Sequence, residues 1–163
     1  MGKNRRRSSG AAQERAARRQ REKQAAQDAE RIRSGLSSDP DWRLATASDA
    51  SWESERQARR TLMRLTKAAL KALYPQHRWS VRHGRGTGRH WVYVTLVVPP
   101  LAGPGASAGL RQETETARGH ASHACAVLER LGLRYATYLP DSVPGFDRPT
   151  PCLSVDVRGA VSY

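Results

Sequence analysis

Five basic side chains, Arg56, Arg60, Arg64, Lys67 and Lys71, recur at helical spacing in the 163-residue chain. At 100° per residue they fall within about 80° of one another. Like charges so placed repel, so nothing intrinsic to a helix favours them. The chemistry they suit is capture of a polyanion, because each neutralised phosphate releases condensed counterions. Arg78, Arg82, Arg85 and Arg89 follow directly, with Gly84, Gly86 and Gly88 interleaved. Arginine grips phosphate through two parallel N–H bonds, and glycine lets the backbone approach closely. Trp91 and Tyr93 stand just beyond and either stack on unpaired bases or belong to the core. These eleven residues, from Arg56 to Tyr93, form the expected binding set. His77, His83 and His90 lie around the same segment and either make binding pH-sensitive or are merely exposed.

Other constellations are weaker. His120, His123 and Cys125 lack CxxC or HExxH spacing, and Cys125 falls on another side of a helix from His120, so no zinc site is expected. The triple-glycine segment joins two strands, opens no helix and lacks the Lys-Ser/Thr ending of a phosphate loop. Pro140-Asp141 and Asp156-Val157-Arg158 loosely resemble the PD…(D/E)xK signature of metal-dependent nucleases, in which two carboxylates hold Mg²⁺. Arginine here replaces the lysine and is poorly suited to proton transfer. No cofactor and no catalytic residue are expected, and a nuclease is the only enzymatic alternative.

Charge organises the whole chain. Lys and Arg number 28 against 15 Asp and Glu, a formal net charge of +13. Residues 1–33 carry 11 basic and 4 acidic groups, and residues 34–55 carry 1 and 5. Residues 56–89 carry 10 basic groups and no carboxylate, and residues 90–163 carry 6 of each sign. A nucleic-acid partner explains such clustering. Two cysteines, Cys125 and Cys152, are too few for a disulfide framework and read as small buried hydrophobes. The basic start has no apolar run behind it, and Trp91 to Val98 is too short to span a bilayer. A cytoplasmic location without membrane contact follows as the expectation. Abundant Arg and Ala with little Lys suit a GC-rich bacterial or phage genome.

The positioning elements follow from periodicity. Residues 11–33 are rich in helix formers but offer Ile32 as the only large apolar residue before Gly35. Without an apolar stripe such a helix has nothing to dock with. The expectation is a disordered or marginally helical basic arm, either a solubilising leader or a segment that folds on phosphate. An acidic linker, residues 34–51, follows, and its charge could shield the basic face. A helix is expected over Trp52–Leu73, capped by Ser51, ended by Pro75, with Leu62, Leu65, Ala69 and Leu73 as its core stripe. Arg78–His83 and His90–Val98 alternate as a hairpin, with Val92, Val94, Leu96 and Val98 assigned to the core. A second helix is expected over Gln112–Leu131, with Gly132 just past its end. Leu133–Leu139 and Cys152–Val157 read as further strands. The fold class is α+β, order α-β-β-α-β-β, a small antiparallel sheet with two helices on one face. Residues 1–50 form the arm and linker, and residues 51–163 the compact domain.

Residues 58–97 resemble a large polyvalent protein-associated domain of phage and conjugative-element proteins. The likeness rests on the basic helix, the Tyr74-Pro75 turn, the Trp79-Ser80-Val81-Arg82 strand, the glycine hairpin and the second strand. It implies a mobile-element setting and no catalytic residues. The expected function is non-catalytic binding of DNA or RNA, mainly through phosphates and with little sequence reading. The alternative is an interaction or structural module whose basic face meets an acidic protein.

Overall fold

The computed structural model describes residues 5–46, 55–84, 92–98, 106–133 and 153–159. Its elements are α1 (Arg5–Leu36), α2 (Trp42–Thr46), α3 (Glu55–Leu73), β1 (Arg78–His83), β2 (Val92–Val98), α4 (Ala106–Arg130) and β3 (Leu153–Gly159). The class is α+β.

Helix α3 forms where the core stripe was expected. Ala58, Leu62, Leu65, Ala69 and Leu70 are all buried. The helix closes with Tyr74 N–H donating to the Leu70 carbonyl, and His77 N–H then donates to Tyr74 across the Pro75 turn. Strands β1 and β2 pair antiparallel, with Arg82 opposite Tyr93, Ser80 opposite Thr95 and Arg78 opposite Val97. Val92, Val94, Leu96 and Val98 are buried, whereas Tyr93 is 42% exposed. Val81 joins Leu62, Leu65, Leu70, Val127 and Leu128 in one core, so α3 and α4 cover the aliphatic face of the sheet. Gly132, at φ 77°, sits past the end of α4, a left-handed conformation that glycine adopts without steric cost.

Three expectations are corrected. The sheet is mixed, because β3 joins β2 in parallel, Val92 beside Leu153 through Val98 beside Gly159. The 25-residue helix α4 lies between these two strands in the chain, and a long helical crossover returns the chain to run in the same direction. Helix α4 also begins six residues before the expected start, through Gly109. The expected strand over residues 133–139 lies almost wholly outside the described residues.

The third correction concerns the N-terminal arm. Residues 5–36 form one 32-residue helix, about 48 Å long. Ala25, Ala29 and Ile32 are buried in the same cluster as Leu62 and Leu65, and so are Trp42 and Ala45 of α2. Residues 25–45 therefore contribute to the folded unit and not only to an arm and linker. The docking stripe exists, but apart from Ile32 it is made of Ala25 and Ala29, which are indistinguishable from the helix-favouring alanines around them. Upstream, residues 10–24 are exposed on every side, as a helix without an apolar stripe must be.

Candidate nucleic-acid interface

The basic stripe lies on α3 opposite its buried arc. Arg56, Arg60, Arg64, Lys67 and Lys71 are all exposed. Among the described residues, no carboxylate lies within ion-pair reach of Arg56, Arg60, Lys67 or Lys71. Arg64 differs from the other four. Its guanidinium forks Asp39, with Nη2 donating to Oδ1 at 2.8 Å and Nη1 to the second oxygen. Nη2 also donates to Asp41 Oδ2 at 2.8 Å. Arg64 holds the Asp39 carboxyl below its ordinary value, and the two carboxylates push the Arg64 guanidinium further up. Arg64 is thus a structural tie from the α1–α2 turn to α3, and its charge is already matched. Among the described residues, the acidic linker reaches the basic helix at Arg64 and, through Asp41, at Thr61.

Strand alternation decides where the sheet arginines go. Val81 packs toward α3, so Arg78 and Arg82, one pleat out of phase, stand on the other face of the sheet. Both are exposed, and Arg82 pairs in register with exposed Tyr93. Arg82 Nε donates to Ser80 Oγ at 3.2 Å. The structure therefore brings together Arg78, Arg82 and Tyr93 on the sheet face opposite Val81, and Arg56, Arg60, Lys67 and Lys71 on the helix. It does not merge them into the single continuous surface that adjacency in sequence suggested, because the body of α3 and edge strand β1 lie between. Arg85, Arg89 and Trp91 lie outside the described residues.

The histidines form an internal network at the α3–β1 turn. His77 Nε2 and His120 Nδ1 are 2.8 Å apart, a bond in which one ring nitrogen carries the proton and the other accepts it. Tyr74 packs against His120 with ring centroids 4.6 Å apart, and Trp79 meets His77 edge-on at 6.1 Å. Burial, and then the neighbouring His120, push the His77 pKa down, which keeps that ring neutral near pH 7. His123 Nε2 reaches Asp28 Oδ2 of α1 at 3.1 Å. Burial raises the Asp28 carboxyl, but bonds from Gln24, Arg31 and His123 outweigh it and hold the group low. Burial and then Glu129 push the Cys125 thiol up to about 11, so it is an unreactive thiol at neutral pH. These side chains have separate partners, and among the described residues no group of three could hold a metal ion.

Sequence reasoning missed two sets of residues. Asp39 and Asp41 could be found only as an acidic cluster. Arg15, Arg18, Arg19, Arg21 and Lys23 were visible as charge, but not as a helix anchored at its far end. Of the nuclease-like set, Asp141 lies outside the described residues, and Asp156 stands beside Thr95 in the β2–β3 register. Among the described residues no helix is long and apolar enough to cross a membrane. Comparison with known proteins matches the chain to no protein family, no curated protein and no solved structure.

Proposed function

We propose that this chain binds nucleic acid, DNA or RNA, without catalysis and mainly through phosphates. One observation carries the reading. Arg56, Arg60, Lys67 and Lys71 project from one face of α3 with no carboxylate within ion-pair reach among the described residues. They span about 22 Å of helix. That arrangement costs repulsion in the free protein and returns it only when a polyanion arrives. The sheet face with Arg78, Arg82 and Tyr93 is a second, smaller contact, suited to an unpaired base beside a phosphate. The mobile-element setting and cytoplasmic location implied by the sequence belong to the same proposal.

The test is a salt-titrated binding assay against single- and double-stranded DNA and RNA. Four phosphate contacts predict a slope of log K on log salt of roughly −3 to −4. Combining Arg60→Glu, Lys67→Glu and Lys71→Glu should lower affinity at least 100-fold with an unchanged circular dichroism spectrum. Unchanged binding by that variant would remove α3 as the interface. A partner that is instead an acidic protein would stay bound after nuclease treatment.

A further inference from the structure

Helix α1 carries four glutamines, Gln13, Gln20, Gln24 and Gln27. At 100° per residue they fall within about 60° of one another, along about 21 Å of helix. From this stripe we propose that α1 lies in the major groove of B-form DNA and reads the edges of adenines there. The proposal rests on the nucleic-acid reading and adds to it a duplex partner, a second surface and base recognition.

All four glutamines are exposed. Gln24 donates to Asp28 Oδ2 at 3.0 Å. Gln13, Gln20 and Gln27 have no side-chain hydrogen bond among the described residues. Ala16 and Ala17 lie between the amides. From Gly10 to Gln27 an arc of about 120° centred on Gln13 holds no charged residue. Arg21 and Lys23 stand at its two borders, each about 80° from the centre. Glu14 and Glu22 turn instead to a recess against α4, which Arg18 and Arg21 also border. Ala25, Ala29 and Ile32, which dock α1, are centred about 130° round the helix from Gln13. The amide stripe therefore faces away from the core.

That cross-section selects among partners. The major groove of B-DNA is about 12 Å wide and admits one α-helix, and glutamine pairs there with adenine through N6 and N7. Small residues between the amides let the helix sit deep, and border cations meet the phosphates of the groove walls. The major groove of A-form RNA is too narrow for side chains to read. A single strand is held by stacking on aromatic rings, and the stripe has none. A second helix is the remaining occupant. Gln13, Ala17, Gln20, Gln24 and Gln27 do follow a coiled-coil seam, in alternate steps of four and three residues. Such a seam would bury amides with no large apolar side chain to compensate.

The experiment measures binding of the full-length protein to three short DNA duplexes at fixed salt. One is rich in A·T, one is rich in G·C, and the third is the A·T duplex with 7-deazaadenine, which lacks the N7 acceptor. The A·T duplex should bind at least about tenfold more tightly than the G·C duplex, as expected for two or more bidentate pairs. The 7-deazaadenine duplex should lose that preference. Gln13→Ala with Gln20→Ala should erase most of it and leave the salt dependence unchanged, because alanine favours the helix and no cation is removed. Lys23→Ala should weaken all three duplexes equally. Equal affinity of the wild type for all three, with salt dependence intact, overturns the groove assignment while the α3 reading stands. A preference that survives 7-deazaadenine also overturns it, since the reading then does not run through the adenine edge. If the double-alanine variant dissolves a dimer that sedimentation finds in the wild type, the stripe is a seam between copies and the proposal falls. If no nucleic acid binds under any salt condition, the α3 reading fails and the groove assignment fails with it.

Discussion

Helices α1 and α3 are both rich in arginine, both run for several turns, and both reach the same core. They dock by different means. Helix α3 buries Leu62, Leu65 and Leu70 completely. Helix α1 buries Ala25, Ala29 and Ile32, and adds two polar ties to α4. These are Asp28 with His123, and Arg33 Nη2 donating to the Arg130 carbonyl at 2.6 Å. Burying a leucine side chain stabilises by about 1.5–3 kcal/mol, and a single methyl by about 0.8. The two helices thus differ in what holds them more than in charge. Helix α3 is framework, with its cations displayed from a fixed platform. Helix α1 is an attachment, held by close approach over small residues and by hydrogen bonds.

The largest expected effect breaks the framework. Leu65→Ala removes a fully buried side chain from the junction of α3 with its neighbours. It should lower unfolding stability by about 2–5 kcal/mol, measured by urea denaturation. A loss below about 1 kcal/mol would mean that α3 is no better anchored than α1, and the contrast would collapse.

The attachment should respond to the opposite change. Ala29 is 2% exposed, so Ala29→Leu adds volume where the backbones approach closely. Overpacking of this kind costs about 1–3 kcal/mol. Here the strain is relieved by letting α1 go, so amide exchange should rise along residues 20–36 while α3 and the sheet stay protected. Uniform loss of protection would show that α1 is as integral as α3.

The same difference explains what the sequence made legible. Leu62, Leu65, Ala69 and the alternating Val92, Val94, Leu96 and Val98 are large enough for their periods to stand out, so α3, the hairpin and α4 were readable in outline. The stripe of α1 was not, because Ala25 and Ala29 do not contrast with their alanine neighbours. The parallel pairing of β3 was hidden for another reason. Strand direction is set by the path of the connection, and residues 153–159 carry no mark of it. In the site, exposure of the α3 cations followed from the helix alone. Whether they join Arg78 and Arg82 depends on which sheet face α3 covers, and that is a tertiary fact. The fate of Arg64 was equally tertiary, since Asp39 lies 25 residues away and is delivered by the α1–α2 turn.

The tie at Arg64 is a charged link from the end of α1 to α3, and it gives the smallest and most diagnostic effect. Arg64→Met keeps the aliphatic stem and removes both bonds to Asp39. Because the pair is half exposed and screened by solvent, the cost at pH 7 should be about 1 kcal/mol or less. The pH profile is the sharper readout. The Asp39 carboxyl is held below its ordinary 3.8 chiefly by the Arg64 bond. Its contribution is therefore complete above pH 3.8 and is lost as pH falls through the lowered value. In Arg64→Met the carboxyl returns toward 3.8, so stability should fall less steeply below that pH than in the wild type. Nucleic-acid affinity should separate the two roles on α3 again. Arg64→Met should cost less binding than Arg60→Met, because the Arg64 charge is already met by Asp39 and Asp41 whereas that of Arg60 has no matching carboxylate among the described residues. Equal losses would mean that incoming phosphate displaces the carboxylates, and the tie would then be a competitor for the interface instead of a strut beside it.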